Sequence, residues 1–388
     1  MKRGLKICDS DGHLIESHDI YERYMDPRFS GRVTTVAVPH SPMPIRAVDG
    51  VQVLAMASAT DIEHARGYES WLPENMVKRF GEVAASGWKA RPTAACLEGV
   101  GVDLSVTYGP GFDCWVGGMD PQLAAEMAKA YCRWLVDYSG ESGGRITGAA
   151  PVPLQEISLA MDVVRFAYDL GLRAFWTRPN PVNGRTLGDR CYDPLYALLQ
   201  DLDVPFATHC FQGGVNLVAA GRDHGFSRQI DQHVCEHPME AQMAMLSMVV
   251  NGVFDRFPRL RMGYFEAGAA WAPYWLSRMT HHLHTSNWKK YSGLKLEPVE
   301  YFQRNIWLTT ECDEDFLYQA IEALGDDKFL FPTDFPHPDA TWPGVVDEFL
   351  DMPRVSTQSK QKILWDNAMA FYGFDESRLP DPVPESTA

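Results

Sequence analysis

The chain lacks several features that mark common classes of protein. It has no apolar run of about 18 residues and no basic segment followed by an apolar leader, so we expect a soluble, cytoplasmic protein without a membrane partner. Its eight cysteines stand singly, without a C-x-x-C pair, which favours reduced thiols over disulfides or a zinc finger. Positive charge is scarce as well: the net charge of −16 argues against a nucleic-acid partner.

The apolar content is sufficient for a large core. The 388 residues are 45% hydrophobic and 12% aromatic, which suits one large domain or two of average size. We predict a single domain over 1–378, with a weakly patterned insertion at about 30–95 and a lid-like loop at about 210–236. The Pro-rich residues 379–388 are expected to form a frayed tail.

Short β-branched or aromatic runs alternate with helical patterns along the chain. Such alternation predicts parallel strands, and eight of them predict a distorted (β/α)₈ TIM barrel of the α/β class. An open, doubly wound sheet is the alternative, but no Gly-rich phosphate loop follows the first strand. The predicted strands are 5–10, 103–108, 145–150, 173–177, 204–208, 261–265, 305–310 and 328–333.

Acidic residues and histidines follow several of these strands. Asp11 and His13 lie two apart after the first strand, His209 follows the fifth, Glu266 the sixth and Asp334 the eighth. Since the carboxyl ends of barrel strands meet at one face, these side chains are expected to converge. Imidazole and carboxylate ligands are those that zinc, manganese and iron accept, so the pattern predicts a metal site.

Three further positions have more than one interpretation each. Glu266 is either a general acid or base, a further ligand, or a residue that orients a ligand histidine. His237 opens a predicted helix and either faces solvent or points into the site. His281, His282 and His284 lie near a helix end, where the helix dipole favours histidine, so a structural role is the default. The alternative is that His282 or His281 reaches the mouth of the barrel.

Arg178 and Asn180 end the fourth predicted strand in the segment WTRPNPVNGR. In so acidic a chain, a cation at a strand end is a natural clamp for a substrate carboxylate. The competing interpretation is a salt bridge that holds the loop.

Several motifs together resemble the amidohydrolase-2 branch of the amidohydrolase superfamily. They are SDGHLIE, RPNPVNGR, THC, the unit SMVVNGVFDRFPRLRMGYFEAGAAWAPYWLSRM, TDFPHPD with TWPGVVDEF, and NAMAFYGF. This branch includes aminocarboxymuconate-semialdehyde decarboxylase and the γ-resorcylate-type decarboxylases. The resemblance spans nearly the whole chain except about 30–95 and 211–236.

The resemblance implies a distorted barrel that binds one divalent metal, zinc or manganese. Its ligands would be Asp11, His13, His209 and Asp334, and the Asp-x-His opening lies within the family's range. The sixth strand departs from the decarboxylases, which commonly carry a histidine there where this chain has Glu266. A carboxylate is a good metal ligand, so Glu266 with His237 and His282 would suit a second cation.

We therefore predict a metal-dependent hydrolase or non-oxidative decarboxylase for a small carboxylated, aromatic or unsaturated substrate. Glu266 and Asp334 would be catalytic, and Arg178 and Asn180 would bind the substrate. One alternative is a dinuclear non-haem iron or manganese oxygenase on the same barrel. Another is a non-catalytic barrel subunit in a hetero-complex; otherwise a homodimer is expected.

Overall fold

The computed structural model describes most of the chain. The described residues are 1–17, 19–36, 45–52, 73–109, 118–210, 219–220, 222–226, 229–285, 288–338 and 340–384. Parts of the predicted insertion and of the predicted lid-like loop therefore lie outside the described residues. None of the helices in the described ranges is long and apolar enough to cross a membrane.

Eight parallel strands form one sheet in which each barrel strand pairs with the next barrel strand along the chain. This order, with helices between the strands, confirms the predicted (β/α)₈ barrel. Small β-strands outside the barrel are numbered in chain order with the others. The barrel strands are β1 (Cys8–Gly12), β5 (Leu104–Thr107), β6 (Ile146–Pro151), β7 (Ala174–Thr177), β8 (Phe206–His209), β9 (Met262–Phe265), β10 (Ile306–Thr309) and β11 (Phe329–Leu330).

Hydrogen bonds between the first strand and the segment after β11 close the barrel. Ser10 N–H donates to the carbonyl of Phe331 at 2.8 Å, and Asp334 N–H donates to the carbonyl of Asp11 at 3.0 Å. The register between β1 and β5 shifts between Asp9 and Gly12, so the barrel is irregular beside its first strand. This closure brings the carboxyl ends of the first and last strands into direct contact.

Helices surround the barrel, and their buried faces carry the apolar residues of the sequence pattern. The side chain of Asp120 accepts a hydrogen bond from Gln122 N–H and so caps the start of the long helix Pro121–Glu141. The helices are α1 (Ile20–Tyr24), α2 (Pro73–Phe80), α3 (Glu82–Ala85), α4 (Ala90–Gly99), α5 (Pro121–Glu141), α6 (Ile157–Asp169), α7 (Asp193–Asp201), α8 (Gln229–Val250), α9 (Val253–Arg256), α10 (Ala272–His284), α11 (Trp288–Ser292), α12 (Pro298–Asn305), α13 (Leu317–Leu324), α14 (Val345–Asp351), α15 (Thr357–Gln361) and α16 (Asn367–Tyr372).

The predicted domain boundaries stay a prediction, and three segments near them are described by the structure. Helix α8 begins at Gln229, inside the stretch for which a lid-like loop was predicted. We expected the helix to begin near Pro238, but this proline lies within it. In the tail that we expected to fray, Val383 N–H donates to Asp103 Oδ1 at 2.6 Å. Part of the insertion forms a small antiparallel sheet of β2 (Val33–Val36), β3 (Ile45–Val48) and β4 (Val51–Gln52).

Candidate metal centre

The first strand carries a polar sequence into the barrel interior, where all five of its residues are buried. Asp11 and His13 extend from its end, with Gly12 between them. A Cβ atom on Gly12 would lie 2.7 Å from Ser105 Oγ and closer still to Asp9 Oδ2. Only glycine fits between the two side chains, so the Asp-Gly-His spacing follows from packing as well as from chemistry.

Asp9, which the sequence analysis did not single out, supports this strand end. Its Oδ1 accepts from Thr333 N–H at 2.8 Å and from Asp11 N–H at 3.2 Å. Its Oδ2 accepts from the hydroxyls of Ser105 at 2.7 Å and Thr333 at 2.8 Å. Burial raises the pKa of Asp9 to about 6, although these hydrogen bonds oppose the rise. Asp9 thus joins β1 to β5 and to the segment after β11.

His13 and His209 both direct the same ring nitrogen toward the carboxylates. His13 Nδ1 donates to the carbonyl of Tyr108 at 2.9 Å, and His209 Nδ1 donates to the carbonyl of Cys210 at 3.0 Å. With Nδ1 fixed in this way, the Nε2 atom of each ring faces the centre of the barrel mouth. There His13 Nε2 lies 3.1 Å from Asp334 Oδ1. An imidazole fixed through its other nitrogen is the usual arrangement of a metal-ligating histidine.

His209 lies between two carboxylates. Its Nε2 is 3.0 Å from Asp11 Oδ1 and 2.9 Å from Glu266 Oε2. Burial alone would lower the pKa of His209, but the charges of Glu266 and Asp11 outweigh it and raise the pKa to about 10. The Tyr108 ring stacks on His209 with centroids 5.4 Å apart, which fixes the orientation of the imidazole. Without a metal, His209 is therefore a buried imidazolium.

Glu266 and Asp334 both follow their strands in left-handed backbone conformations, with φ angles of 52° and 53°. This conformation is costly for residues with a Cβ, by roughly 1–2 kcal/mol, and is typical of functional sites. Glu266 N–H donates to Asp11 Oδ2 at 2.9 Å and to Thr309 Oγ1 at 3.0 Å, which fixes the turn after β9. The two carboxyl groups thereby face the same point as His13 and His209.

Ion pairs keep both carboxyl groups ionised. Burial would raise their pKa values, yet the charge of His209 holds the pKa of Glu266 well below its usual range. Burial is likewise outweighed at Asp334, where His337 and His13 lower the pKa to about 2. His337 Nδ1 lies 3.0 Å from Asp334 Oδ1 and 3.7 Å from Glu266 Oε1. His337, absent from our sequence-based site, sits three residues after Asp334 in TDFPHPD.

The donor set fits a divalent metal. Asp11 Oδ1, His13 Nε2, Glu266 Oε2 and Asp334 Oδ1 are buried atoms without a hydrogen bond among the described residues. Leaving so many buried polar atoms unsatisfied is unfavourable, unless a cation binds them. Ligand atoms of Asp11, His13 and His209 all lie within 4.8 Å of one another, and so do those of His13, Glu266, Asp334 and His337. Imidazoles with carboxylates suit manganese, zinc or iron.

A cavity of about 200 Å³ opens onto this cluster. Asp11, Glu266 and Asp334 line it together with His233 and His237. A larger groove of about 700 Å³ lies between Phe316 and Arg354 on the outside of the barrel, but none of its described lining residues is a histidine. The smaller cavity is therefore the candidate site.

Arg178 and Asn180 are buried after β7, and Arg178 Nε donates to Asn180 Oδ1 at 3.1 Å. The charge of the guanidinium acts on Glu240 of α8. Burial raises the pKa of Glu240 to about 7, while the Ala220 N–H and the charge of Arg178 oppose the rise. Both interpretations of Arg178 therefore stay open, since its charge acts on an acidic side chain as well as facing the strand end.

The structure brings His237 to the cavity but not His282. His237 is buried beside Glu266, whereas His282 is exposed near the end of α10, where its ring stacks with Trp288 at a centroid distance of 6.4 Å. His282 belongs to none of the metal-ligating clusters in the described part of the chain. His233 lies one turn before His237 and is grouped with His237 and Glu266 where His282 was expected. We did not predict it, because the helix was expected to begin at 237.

Comparison with known proteins gives one family and several related folds. A family model described as Amidohydrolase matches residues 115–374. The 2-amino-3-carboxymuconate-6-semialdehyde decarboxylase of Dictyostelium discoideum is 25% identical over 306 residues, which are 78% of this chain and 81% of that protein.

Two crystal structures share the fold over almost their whole length. An amidohydrolase from Mycobacterium avium subsp. paratuberculosis K-10 superposes with a TM-score of 0.74 at 23% identity, covering 96% of this chain and 99% of its own. A dihydroxybenzoic acid decarboxylase from Polaromonas sp. JS666, with bound manganese and the inhibitor 2-nitroresorcinol, gives a TM-score of 0.65 at 19% identity, with coverages of 96% and 97%.

Proposed function

Because the chain belongs to the amidohydrolase family, we propose that it is a metal-dependent, non-oxidative decarboxylase of a small aromatic or unsaturated carboxylate. The observation that carries the proposal is a pair of adjoining clusters that share His13. One joins His13 to Asp11 and His209, and the other joins it to Glu266 and Asp334. The decarboxylases among its relatives favour carbon–carbon cleavage over hydrolysis. The comparisons give no support to the oxygenase or to the non-catalytic subunit.

The reaction replaces a carboxylate by a proton: the bond between the carbon skeleton and the carboxylate breaks, carbon dioxide leaves, and the electron pair takes up a proton. Asp11, His13, His209 and Asp334 would hold the cation. A divalent cation bound there would supply a Lewis acid for the negative charge that develops on a substrate oxygen. Manganese is the first ion to test, because a structural relative contains it.

Glu266 and His337 are placed to handle the proton. Glu266 Oε1 lies 3.7 Å from His337 Nδ1, and the His337 side chain is 22% exposed at the mouth. We assign to His337 the transfer of a proton between solvent and Glu266 Oε1, and to Glu266 the transfer between Oε1 and the substrate carbon. The low pKa of Glu266 keeps the group ionised in the resting site, so the proton that it transfers would have to come from His337.

Arg178 and Asn180 are the proposed binding residues for a substrate carboxylate. The buried guanidinium keeps its charge at any accessible pH, and burial strengthens its attraction for an anion. Arg178→Lys is expected to raise KM with little change in kcat if Arg178 binds the substrate. Loss of thermal stability with an unchanged KM would instead assign Arg178 the structural role of holding the loop.

Product analysis tests the proposed reaction. The manganese-loaded chain is incubated with 2,6-dihydroxybenzoate, 5-carboxyvanillate and salicylate, and carbon dioxide and the aromatic product are measured. We expect equimolar carbon dioxide and decarboxylated product from at least one of them, and none from Glu266→Gln. His282→Ala, a histidine exposed outside the cavity, is the matched control and should keep full turnover. Absence of carbon dioxide from all three compounds would contradict the proposal.

A further inference from the structure

Four aromatic rings meet around Phe335, in the segment that follows β11. Phe335 itself is buried. Its ring centroid lies 4.6 Å from that of Trp342, 5.3 Å from that of Phe80 and 6.1 Å from that of Trp88. Phe80 in turn lies 5.6 Å from Trp88 and 6.0 Å from Trp342. These four residues, which we call the aromatic cluster, therefore pack as one unit.

Phe335 is connected to the candidate metal centre through its backbone and its neighbours. It lies between Asp334 and His337 in the sequence, and its carbonyl accepts from His13 N–H at 2.6 Å. His337 N–H donates to the carbonyl of Asp334 at 2.8 Å. The His337 ring stacks on that of His13, with centroids 4.1 Å apart and 6° between the planes. A shift of Phe335 would therefore move His337 relative to Glu266.

Two rings of the aromatic cluster come from the predicted insertion, outside the motifs that carry the family resemblance. Phe80 is the last residue of α2, and Trp88 lies between α3 and α4. Trp88 has a left-handed backbone with φ of 60°, which is costly for a bulky residue and persists only where the surrounding structure enforces it. The Tyr138 hydroxyl on α5 donates to the carbonyl of Trp88 at 2.9 Å and holds this turn. The strained residue is thus one that brings a ring to Phe335.

A polar contact fixes the end of α2 to the wall of the cavity. The Arg79 guanidinium donates to the carbonyl of Ala340 and lies 5.6 Å from the centroid of the Phe80 ring. Ala340 is a lining residue of the cavity beside the metal cluster. Helix α2 is therefore attached to this wall through a hydrogen bond as well as through its terminal ring.

We propose that Phe80 and Trp88 are positioning residues, which act through Phe335 to hold His337 beside Glu266. Both rings meet Phe335 edge to face, at interplanar angles of 90° for Phe80 and 63° for Trp88, and such contacts favour one orientation of the rings. Displacement of His337 would lengthen the 3.7 Å separation between its Nδ1 and Glu266 Oε1. The inference takes the role of His337 from the proposed function, but its placement can be measured without a substrate.

Diethyl pyrocarbonate, which acylates accessible imidazoles, measures this placement. The manganese-loaded full chain is treated with the reagent, and modification of His337 is followed by peptide mass spectrometry. We expect His337 to react about tenfold faster in Phe80→Leu than in the wild type, because its segment opens locally. His282, exposed on α10, is the internal reference and should react at an unchanged rate. Phe254→Leu is the matched control, since the buried Phe254 ring packs against Tyr301 at 6.3 Å and its loss should leave the His337 rate unchanged.

Trp88 provides a second pair of variants. Trp88→Leu should also raise the His337 rate, whereas Trp88→Phe keeps a ring and should restore most of the wild-type protection. This pair decides the question if Phe80→Leu fails to fold by circular dichroism. A wild-type His337 rate in the folded leucine variants at 80 and 88, or an equal rise in Phe254→Leu, would overturn the inference.

Turnover distinguishes failure of the inference from failure of the proposed function. If the wild type releases carbon dioxide, Phe80→Leu should lower kcat by about 10- to 100-fold and change KM by less than about twofold, because delivery of the proton is misplaced while substrate binding is kept. An unchanged kcat would contradict the positioning role. Absence of carbon dioxide in the wild type would contradict the decarboxylase alone, and the His337 rates would still decide whether the aromatic cluster positions this residue.

Discussion

The backbone N–H of Glu266 donates to Asp11 Oδ2 at 2.9 Å, while Asp11 Oδ1 and Glu266 Oε2 both face His209 Nε2 at about 3 Å. One carboxylate thus fixes the turn that presents the other. Thr309 completes this contact, because its hydroxyl donates to Asp11 Oδ2 at 2.9 Å and accepts from Glu266 N–H. The first, sixth and seventh barrel strands are therefore joined beneath the metal centre.

Removing the Thr309 hydroxyl should loosen this junction. Thr309→Val leaves Asp11 Oδ2 with one donor fewer, and we expect manganese affinity to fall by about 10–100-fold. Thr309→Ser keeps the hydroxyl and should retain most of the affinity. Isothermal titration calorimetry on the two purified variants measures the difference. Equal affinities in Thr309→Val and Thr309→Ser would show that the hydroxyl has no part in positioning Asp11.

Metal binding should release a proton from His209. In the metal-free protein its pKa is raised to about 10, so the ring is protonated at neutral pH, whereas a metal ligand has to be unprotonated at the coordinating nitrogen. We expect release of about one proton per ion bound at the first site, and tighter binding as pH rises from 6 toward 9. Titration calorimetry in buffers of different ionisation enthalpy measures the released protons. Binding enthalpy independent of the buffer would contradict the assignment of His209 as a ligand.

Gly12 should tolerate no side chain. In Gly12→Ala the new Cβ meets Ser105 Oγ and Asp9 Oδ2, so we expect a loss of about 1–3 kcal/mol in the free energy of unfolding and weaker metal binding. Gly140→Ala is the matched control. Nothing lies within 4 Å of the Cβ position at Gly140 inside helix α5, so this variant should be neutral or slightly stabilised. Urea unfolding of both variants gives the comparison, and equal stabilities would contradict the packing argument.

The ionisation of Glu240 should destabilise the fold as pH rises from 4.5 through about 7. Its pKa rises from 4.5 to about 7 on folding, so the folded state binds the proton more tightly. Wild-type stability from this group is complete below pH 4.5 and is lost as pH rises to about 7 and above. Glu240→Gln removes the ionisation, so the variant should gain on the order of 3 kcal/mol relative to the wild type between pH 4.5 and 8. A difference in the free energy of unfolding between Glu240→Gln and the wild type that stays constant with pH would contradict this prediction.

The barrel and the strand-end positions of its candidate metal ligands were predictable from the sequence, because period and strand-end position are local properties. The eight barrel strands lie where the apolar runs indicate, and the predicted family and enzyme class, a metal-dependent hydrolase or carboxy-lyase, are confirmed at the level of the family. Asp11, His13 and His209 are brought together as the strand order requires. Their roles as ligands stay predictions until a metal is measured.

The supporting residues were not predictable in the same way. Asp9 supports the strand end through hydrogen bonds from Ser105 and Thr333, which are distant in sequence. The residues on either side of Asp9 therefore give no sign of this role. His233 was hidden by an internal proline, since Pro238 resembles a helix start. His282 illustrates the opposite error: its helix was correct, but the residue faces away from the site. Which face of a helix meets the mouth depends on packing.

Anomalous scattering from a crystal of the manganese-loaded protein tests the central claim most directly. We predict an anomalous peak in contact with His13 Nε2 and His209 Nε2, between the carboxylates of Asp11 and Asp334. In a crystal of the Asp11→Asn variant, prepared in the same way, this peak should be absent or much weaker. Absence of the peak in the wild type, or a peak bound only by residues outside this cluster, would contradict the assignment of these strand ends as the metal centre.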